Sequence, residues 1–375
     1  MNPFVTTGYA GPDYFCDREK ETEYITELLE NGNNIALISP RRYGKTDLIR
    51  HCFGQKKITE KYYTFIIDIY STNSSAELTE RLAKSILEEL KPRGEKAWSA
   101  FINTLSSIKA GISYDAAGVP SLSLSVGDIH NPSSTLDEIF SYINNSDRRC
   151  LIAIDEFQQI TKYSDNNVEA SLRTYIQYCS NANFIFCGSQ REMMGAMFTS
   201  SSRPFYQSST IMNLPPIAKD KYLEFCQRHF RNAGKSLENK VIDVLYEKFD
   251  STTFYLQKVM NILFMRTERG SECRAEDIDE AINYIIDFSS ETYEDLLYQI
   301  PEKQKLLLTA IASEEKVSGI TSGKFIKKHA LQSASSASSA AKGLMEKGLI
   351  TFNRGTYMLY DHFFRIWIVS RHLSF

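Results

Sequence analysis

A chain of 375 residues, 42% hydrophobic and 24% charged, has material for two or three globular domains with sizeable cores. Its net charge of −3 excludes a polycation that coats nucleic acid over its whole surface. Seven scattered cysteines without a C-x-x-C pair exclude a disulfide scaffold, and the lack of a basic-then-apolar leader or a bilayer-length apolar run leaves the expectation of a cytoplasmic chain with no membrane insertion.

In chain order, residues 18–31 (REKETEYITELLEN) place Tyr24, Ile25, Leu28 and Leu29 on one helical face. NIALIS is a short apolar strand, and TDLIRHCF a helix beyond a polar loop. A second strand spans 62–71, rich in aromatic and β-branched residues, and a helix covers SAELTERLAKSILEELK. Residues 109–126 alternate apolar and polar around an Ala-Gly turn and are expected as a surface hairpin. A short helix over STLDEIFSYINNS precedes RCLIAIDEF, an apolar run suited to a strand buried on both faces of a parallel sheet. A helix over 166–180, a fourth strand NFIFCGS and a fifth, TIMNLPPI, complete the pattern. Strands alternating with helices predict βαβ units and a mostly parallel sheet.

Past Pro216 helical segments succeed one another. From Leu297 three helices (PEKQKLLLTAIAS, SGKFIKKHAL, SASSASSAAKGLMEKG) and two strands around Arg354-Gly355 give the order of a winged helix-turn-helix. The serine- and alanine-rich stretch is expected as a closely packed helix. Three domains follow: an α/β core over 1–215, a helical lid over 216–296 and a winged helix over 297–375.

The loop between the first strand and its helix, SPRRYGKT, ends as a phosphate-binding loop does, but Ser39 stands where the leading glycine is usual. Such a loop aims backbone N–H groups and a helix N-terminus at phosphate. Lys45 would supply charge to the β- and γ-phosphates, Thr46 a hydroxyl for Mg2+, and Gly44 close backbone approach. The leading position only opens the loop, so Ser39 serves if its φ is negative, with Pro40 stiffening the entry. Ser39, Pro40, Arg41, Arg42, Tyr43, Gly44, Lys45, Thr46 and Asp47 are therefore the expected nucleotide-binding residues. Gly-Lys-Thr alone has a competing reading as a surface turn with a solvated lysine. What decides is the acidic pair Asp155-Glu156 at the end of an apolar strand, where an open α/β sheet puts its site. Asp155 would hold Mg2+ through water, beside Thr46, and Glu156 would polarise the attacking water as general base. A capping carboxylate pair is the competing reading. Ser189, after the fourth strand, could sense the γ-phosphate, or the segment is a simple strand-to-loop turn. Arg191 and Arg203 are candidates for stabilising transition-state charge in cis or on a neighbouring subunit, or are surface arginines. The expected fold is thus a P-loop NTPase parallel sheet with ATP and Mg2+ as cofactors.

These residues give the chain a resemblance to the archaeal-type ATPases of the AAA+/STAND class. It rests on YFCDREKE (14–21), ISPRRYGKTDLI, LIAIDEFQ (151–158), FIFCGSQ (184–190) and the closing Asp-x-x-Phe-Arg-x-Trp (361–367), and is spread over the whole chain. The resemblance implies an ATPase core, a helical lid and a winged helix, acting as a regulatory switch. By position it also implies Phe15 and Arg18 near adenine; read without it, the segment is a helix start with Asp17 as N-cap. Two departures are visible. Pro204-Phe205-Tyr206 is followed by Gln207-Ser208 where many relatives carry Gly-Arg, and Ser251-Thr252-Thr253 stands where many have Gly-x-Pro. Both imply slow turnover or an altered lid response without threatening binding.

Three functions remain open at this level. One is an ATP-hydrolysing switch acting on an unknown protein effector, with oligomerisation open. Another is a nucleic-acid-binding regulator with ATP as an input: residues 297–375 carry 11 Lys and Arg against 5 Asp and Glu, net +6, leaving −9 for the rest. Weak, non-specific DNA contact would use Lys324, Lys327, Lys328, Lys342 and Arg354. The same basic tail fits docking on the acidic body, and Phe363, Phe364, Ile366, Trp367 and Ile368 must be buried somewhere. The third is a scaffold that binds ATP without using it, against which Glu156 argues.

Overall fold

The computed structural model describes residues 1–90, 95–107, 112–114, 120–122, 129, 131–165, 167–353 and 355–372. They fall into two compact units, Thr7–Ala218 and a second made of Met1–Thr6 with Lys219–Phe375.

The first unit runs α1 (Glu19–Glu30), β1 (Ile35–Ile38), α2 (Lys45–Phe53), α3 (Lys56–Thr59), β2 (Tyr62–Asp68), α4 (Ser75–Leu90), α5 (Glu95–Thr104), β3 (Ile112–Tyr114), β4 (Pro120–Leu122), α6 (Pro132–Asn144), β5 (Arg149–Asp155), α7 (Val168–Tyr178), β6 (Ala182–Gly188), α8 (Arg191–Thr199) and β7 (Thr210–Asn213). Its sheet is parallel throughout, in the order β2-β5-β6-β1-β7. The period of two along each strand separates two cores. Ala36, Ile38, Ile152, Ile154, Phe184 and Phe186 face one side, against α4, α6 and α7. Ile35, Leu37, Leu151, Ala153, Ile185 and Cys187 face the other, against α1 and α2. β1 and β6 are buried along their whole length, as strands covered on both faces must be.

The expected hairpin is present as the antiparallel pair β3–β4; its Ala-Gly turn lies outside the described residues. Three features differ from the sequence reading. Helices α3 and α5 are additional, and Arg18 rather than Asp17 is the residue before α1, with both at positive φ (75° and 56°). The Arg18 side chain makes no cap hydrogen bond to the helix N-terminus.

The second unit contains α9 (Lys219–Asn232), β8 (Ser236–Leu237), α10 (Asn239–Lys248), α11 (Thr253–Arg266), β9 (Glu272–Cys273), α12 (Asp277–Phe288), α13 (Ser290–Tyr298), α14 (Glu302–Glu314), α15 (Gly323–Lys328), α16 (Ala334–Glu346), β10 (Ile350–Asn353), β11 (Thr356–Leu359) and α17 (His362–His372). The first six residues, expected with the α/β core, pack here instead. Phe4 is fully buried against Phe225, Phe230 and Phe264 at centroid distances of 6.0, 5.9 and 5.7 Å. Asn2 donates to the Asn261 carbonyl at 2.8 Å, and Asn261 donates back to that of Phe4 at 2.7 Å.

Helices α14, α15 and α16 and the antiparallel pair β10–β11 form the winged helix; Arg354 at the wing's tip lies outside the described residues. Ser322 and Ser333 cap α15 and α16 by accepting from Phe325 N and Ser336 N. Small side chains let α16 pack closely: Ala337, Ala340, Ala341 and Leu344 form its buried stripe. The closing aromatics are buried in this same unit. Phe363 meets Phe249 and Tyr255 at 5.5 and 5.2 Å, and Trp367 Nε1 donates to Ser290 Oγ at 2.9 Å.

Candidate nucleotide site

The parallel register brings Asp68 beside Asp155 and Ile38 beside Gly188, so the carboxyl ends of β1, β2, β5 and β6 open on one rim. The loop 39–44 crosses that rim. Ser39 is fully buried and outside the positive-φ region; its N–H donates to the Gly188 carbonyl at 3.2 Å, continuing the β1–β6 ladder. Arg42 (φ 71°) and Gly44 (φ 83°) are the loop's left-handed residues, and Gly44 is the N-cap of α2. The Lys45 ammonium, with only 6% of the residue exposed, donates to the carbonyls of Ser39 (2.9 Å) and Pro40 (3.2 Å). Burial lowers its pKa, while the carboxylates of Asp155 and Glu156 oppose the shift. Pro40, Tyr43 and Asp47 are half-buried along the loop and first helical turn, and burial raises the Asp47 carboxyl.

Asp155 is bonded through both oxygens. Oδ2 accepts from the Thr46 hydroxyl at 2.5 Å and Oδ1 from Glu156 N at 2.9 Å. Burial raises its pKa against the Thr46 bond and the Lys45 charge. Hydroxyl and carboxylate are hard oxygen donors, which suits Mg2+. No group of three or more His, Cys, Asp or Glu fit for a metal occurs among the described residues. Magnesium held by one carboxylate, one hydroxyl, phosphate and water needs none.

Glu156 sits at φ 55°, between β5 and a 3-10 turn, Phe157–Lys162. A non-glycine residue there is strained by of order 1–3 kcal/mol. Phe157 holds the turn down, packed on Phe186 and Phe205 at 4.6 and 5.1 Å. The Glu156 carboxylate accepts at Oε2 from Ser189 Oγ (2.6 Å) and from Gln158 Nε2 (2.5 Å), and its Oε1 lies 3.6 Å from Arg41 Nε. Arg41 Nε also donates to Ser189 Oγ at 3.3 Å, and the guanidinium lies over the Tyr70 ring at 4.8 Å. Lys45, Thr46, Asp155, Glu156, Ser189 and Arg41 are therefore one constellation.

The remaining candidates are placed elsewhere. Phe15 stacks on His51 of α2 (4.3 Å, 15°), and Tyr9 Oη and His51 Nδ1 are 2.8 Å apart. Arg18 is buried, donating to Glu21 Oε1 at 2.7 Å and to the Pro215 carbonyl at 2.8 Å, so its guanidinium ties α1 to the end of the unit. Arg203 pairs with Glu169 of α7 at 2.5 Å, and Arg191 is half-buried at the start of α8. The sequence reading missed Gln158, Tyr9 and His51. A polar pair, Gln158-Gln159, between the apolar Phe157 and Ile160 was the available signal.

Residues 15–259 match the family described as "ATPase domain predominantly from Archaea", and residues 291–370 the family described as "Probable winged helix domain". An uncharacterized ATP-binding protein of Methanocaldococcus jannaschii is 29% identical over 157 residues, covering 39% of this chain and 43%, under half, of that relative's length. The Walker-type ATPase of Pyrococcus abyssi shares the fold at 18% identity and TM-score 0.59, over 98% of this chain and 99% of that one. So do two Aeropyrum pernix proteins. One is ORC2 in its ADPNP–ADP complexes, at 13% identity and TM-score 0.58 over 100% and 98% of the two chains. The other is ORC1 in complex with DNA, at 14% identity and TM-score 0.52 over 96% and 94%. Identities this low speak for the fold alone. No helix among the described residues is long and apolar enough to cross a membrane.

Proposed function

Because the chain belongs to the family of ATPase domains found predominantly in Archaea, we propose that it is an ATP-hydrolysing regulatory switch of the AAA+/STAND kind. The observation that carries this reading is the carboxylate of Glu156. It stands beside the Thr46–Asp155 pair, oriented by Ser189 and Gln158, with one oxygen turned toward Arg41. A binding scaffold has no need of a strained, oriented carboxylate at that place.

In this reading the loop N–H groups and Lys45 hold the β- and γ-phosphates, exchanging the ammonium's carbonyl partners for phosphate oxygens. Thr46 and Asp155 would hold Mg2+, which supplies charge neutralisation on the phosphates. Glu156 orients water in line with the γ-phosphorus and accepts its proton. Arg41 is near enough to balance γ-phosphate charge in cis. The aromatic group of Phe15, Tyr9 and His51 marks the adenine side. A reducing, cytoplasmic compartment fits seven cysteines that are all free and buried.

The experiment is Glu156→Gln with Mg-ATP. The variant should bind ATP as the wild type does and release phosphate at least about a hundredfold more slowly, the scale of general-base catalysis. Equal turnover in the two proteins sinks the reading.

A second reading, DNA contact through the winged helix, is favoured by the exposed Lys324, Lys327 and Lys342 on α15 and α16 and by the ORC1 relative solved with DNA. It is weakened by Lys328 and His329 pairing with Glu314, and by Lys347 donating to Gln304. Unchanged phosphate release and no gel shift with duplex DNA at low salt would remove it.

A further inference from the structure

The two oxygens of Glu156 are not equivalent. Oε2 receives two donors, Ser189 Oγ and Gln158 Nε2, whereas Oε1 faces the Arg41 guanidinium at 3.6 Å. Gln158 is only 2% exposed, and its own Oε1 has no hydrogen-bond partner among the described residues. Buried polar atoms nearly all find a partner, so a bare amide oxygen calls for a reason. This one leaves its acceptor bare and spends its donor on Glu156. Its room is kept open by Gly188, where a Cβ would come within 2.5 Å of Gln158 Oε1 and 2.3 Å of Met194 Cγ.

We propose that Gln158 is a positioning residue for hydrolysis: together with Ser189 it fixes Oε2, so that Oε1 is the oxygen that takes the proton from water. The inference rests on the reading of Glu156 as general base. In the step, the water oxygen bonds to the γ-phosphorus while the bond from that phosphorus to the β,γ-bridging oxygen breaks. One water proton passes to Glu156 Oε1, and ADP and inorganic phosphate result. The proton then returns to phosphate or solvent. Two donors occupy Oε2 and turn the carboxylate so that the lone pairs of Oε1 are the ones left for water. Arg41 covers Oε1 as the site stands here, so the γ-phosphate of ATP, by drawing the guanidinium onto itself, would uncover the oxygen that the reaction uses.

Gln158→Met keeps the side chain's length and loses the donor. Its kcat with Mg-ATP should fall about tenfold, the size of one charge-assisted hydrogen bond. KM and the calorimetric Kd for ATP should stay at wild-type values. A residue that only fills core space would lower Tm and leave the split between kcat and KM unmoved. Should Gln158→Met fail to fold, Ser189→Ala removes the other donor from the same oxygen and must lower kcat at unchanged KM and Kd in the same way. If Gln158→Met, or Ser189→Ala in its place, keeps the wild-type kcat while Glu156→Gln is inactive, the assignment is wrong and the ATPase reading stands. If Glu156→Gln turns over like wild type, both fall together.

Discussion

Thr46 of α2 and Asp155 at the end of β5, 109 positions apart in the chain, are joined by a hydrogen bond of 2.5 Å. The bond ties helix to strand and gathers two oxygen donors at one point. It does not make Asp155 comfortable, for burial still holds its carboxyl above the usual carboxylate range.

A carboxyl whose pKa is raised by folding loses stability as it ionises and regains it as the pH falls. Asp155→Asn keeps an acceptor for Thr46 and removes the buried charge. The variant is expected to hold or exceed the wild-type Tm at neutral pH while magnesium-dependent hydrolysis falls about 10- to 100-fold. Scanning calorimetry beside a phosphate-release assay reads both. A Tm several degrees lower would mean that the charge, not its neutral isostere, holds strand and helix together.

Gly44 offers a cleaner test of the loop's backbone. Its φ is +83°, yet a Cβ added there would meet nothing within 4 Å. The cost of Gly44→Ala is therefore conformational alone, about 1 kcal/mol. Denaturant unfolding should show that loss and little more. A loss several times larger would mean that the loop has no alternative to this conformation, and Arg42→Gly, at φ 71°, should then stabilise.

His362 is 7% exposed, and burial lowers its pKa, with Asp250 opposing and Arg365 adding to the shift. A histidine whose folded pKa lies below its unfolded value of about 6.5 stabilises above that pH and loses the contribution as pH falls toward the folded pKa. Wild-type Tm should thus drop relative to His362→Gln between about pH 7 and 5. A Tm difference that does not change with pH would show that folding leaves the pKa of His362 where it stands in the unfolded chain.

Trp367, 1% exposed, joins α17 to Ser290 and lies tilted against Tyr293 at 5.6 Å between centroids. Trp367→Ala should cost about 3–5 kcal/mol. Because α17 also packs on Phe249 and Tyr255 through Phe363, the loss should appear as one cooperative transition of residues 219–375. Two separated transitions in the wild type would show instead that the helical segment and the winged helix fold independently.

What was legible in the sequence was local. Gly44-Lys45-Thr46 and Asp155-Glu156 could be read because each is a short word whose meaning depends on the strand before it and the turn after it. The alternation of apolar strands and helices gave the parallel sheet for the same reason. Gln158 was legible only as half of a polar pair: the room that Gly188 leaves for its side chain lies thirty residues on, and no pattern within one element carries that. Phe4 was equally hidden, since its partners lie more than two hundred residues away. Arg18 was assigned from a motif to the adenine, but its guanidinium is engaged by Glu21 and Pro215. A motif fixes a residue's position, while the direction of a long side chain is settled by whichever acceptors the fold supplies.

All seven cysteines are free and buried, and burial pushes the thiols of Cys52 and Cys273 up to about 12 and that of Cys179 to about 11. At neutral pH almost none of these is thiolate, so an alkylating reagent reacts only when the chain opens. Cys16, Cys52, Cys150, Cys179 and Cys187 belong to the ATPase unit, whereas Cys226 and Cys273 belong to the other. A brief alkylation pulse followed by mass analysis would therefore time the breathing of each unit separately, with no label engineered into either.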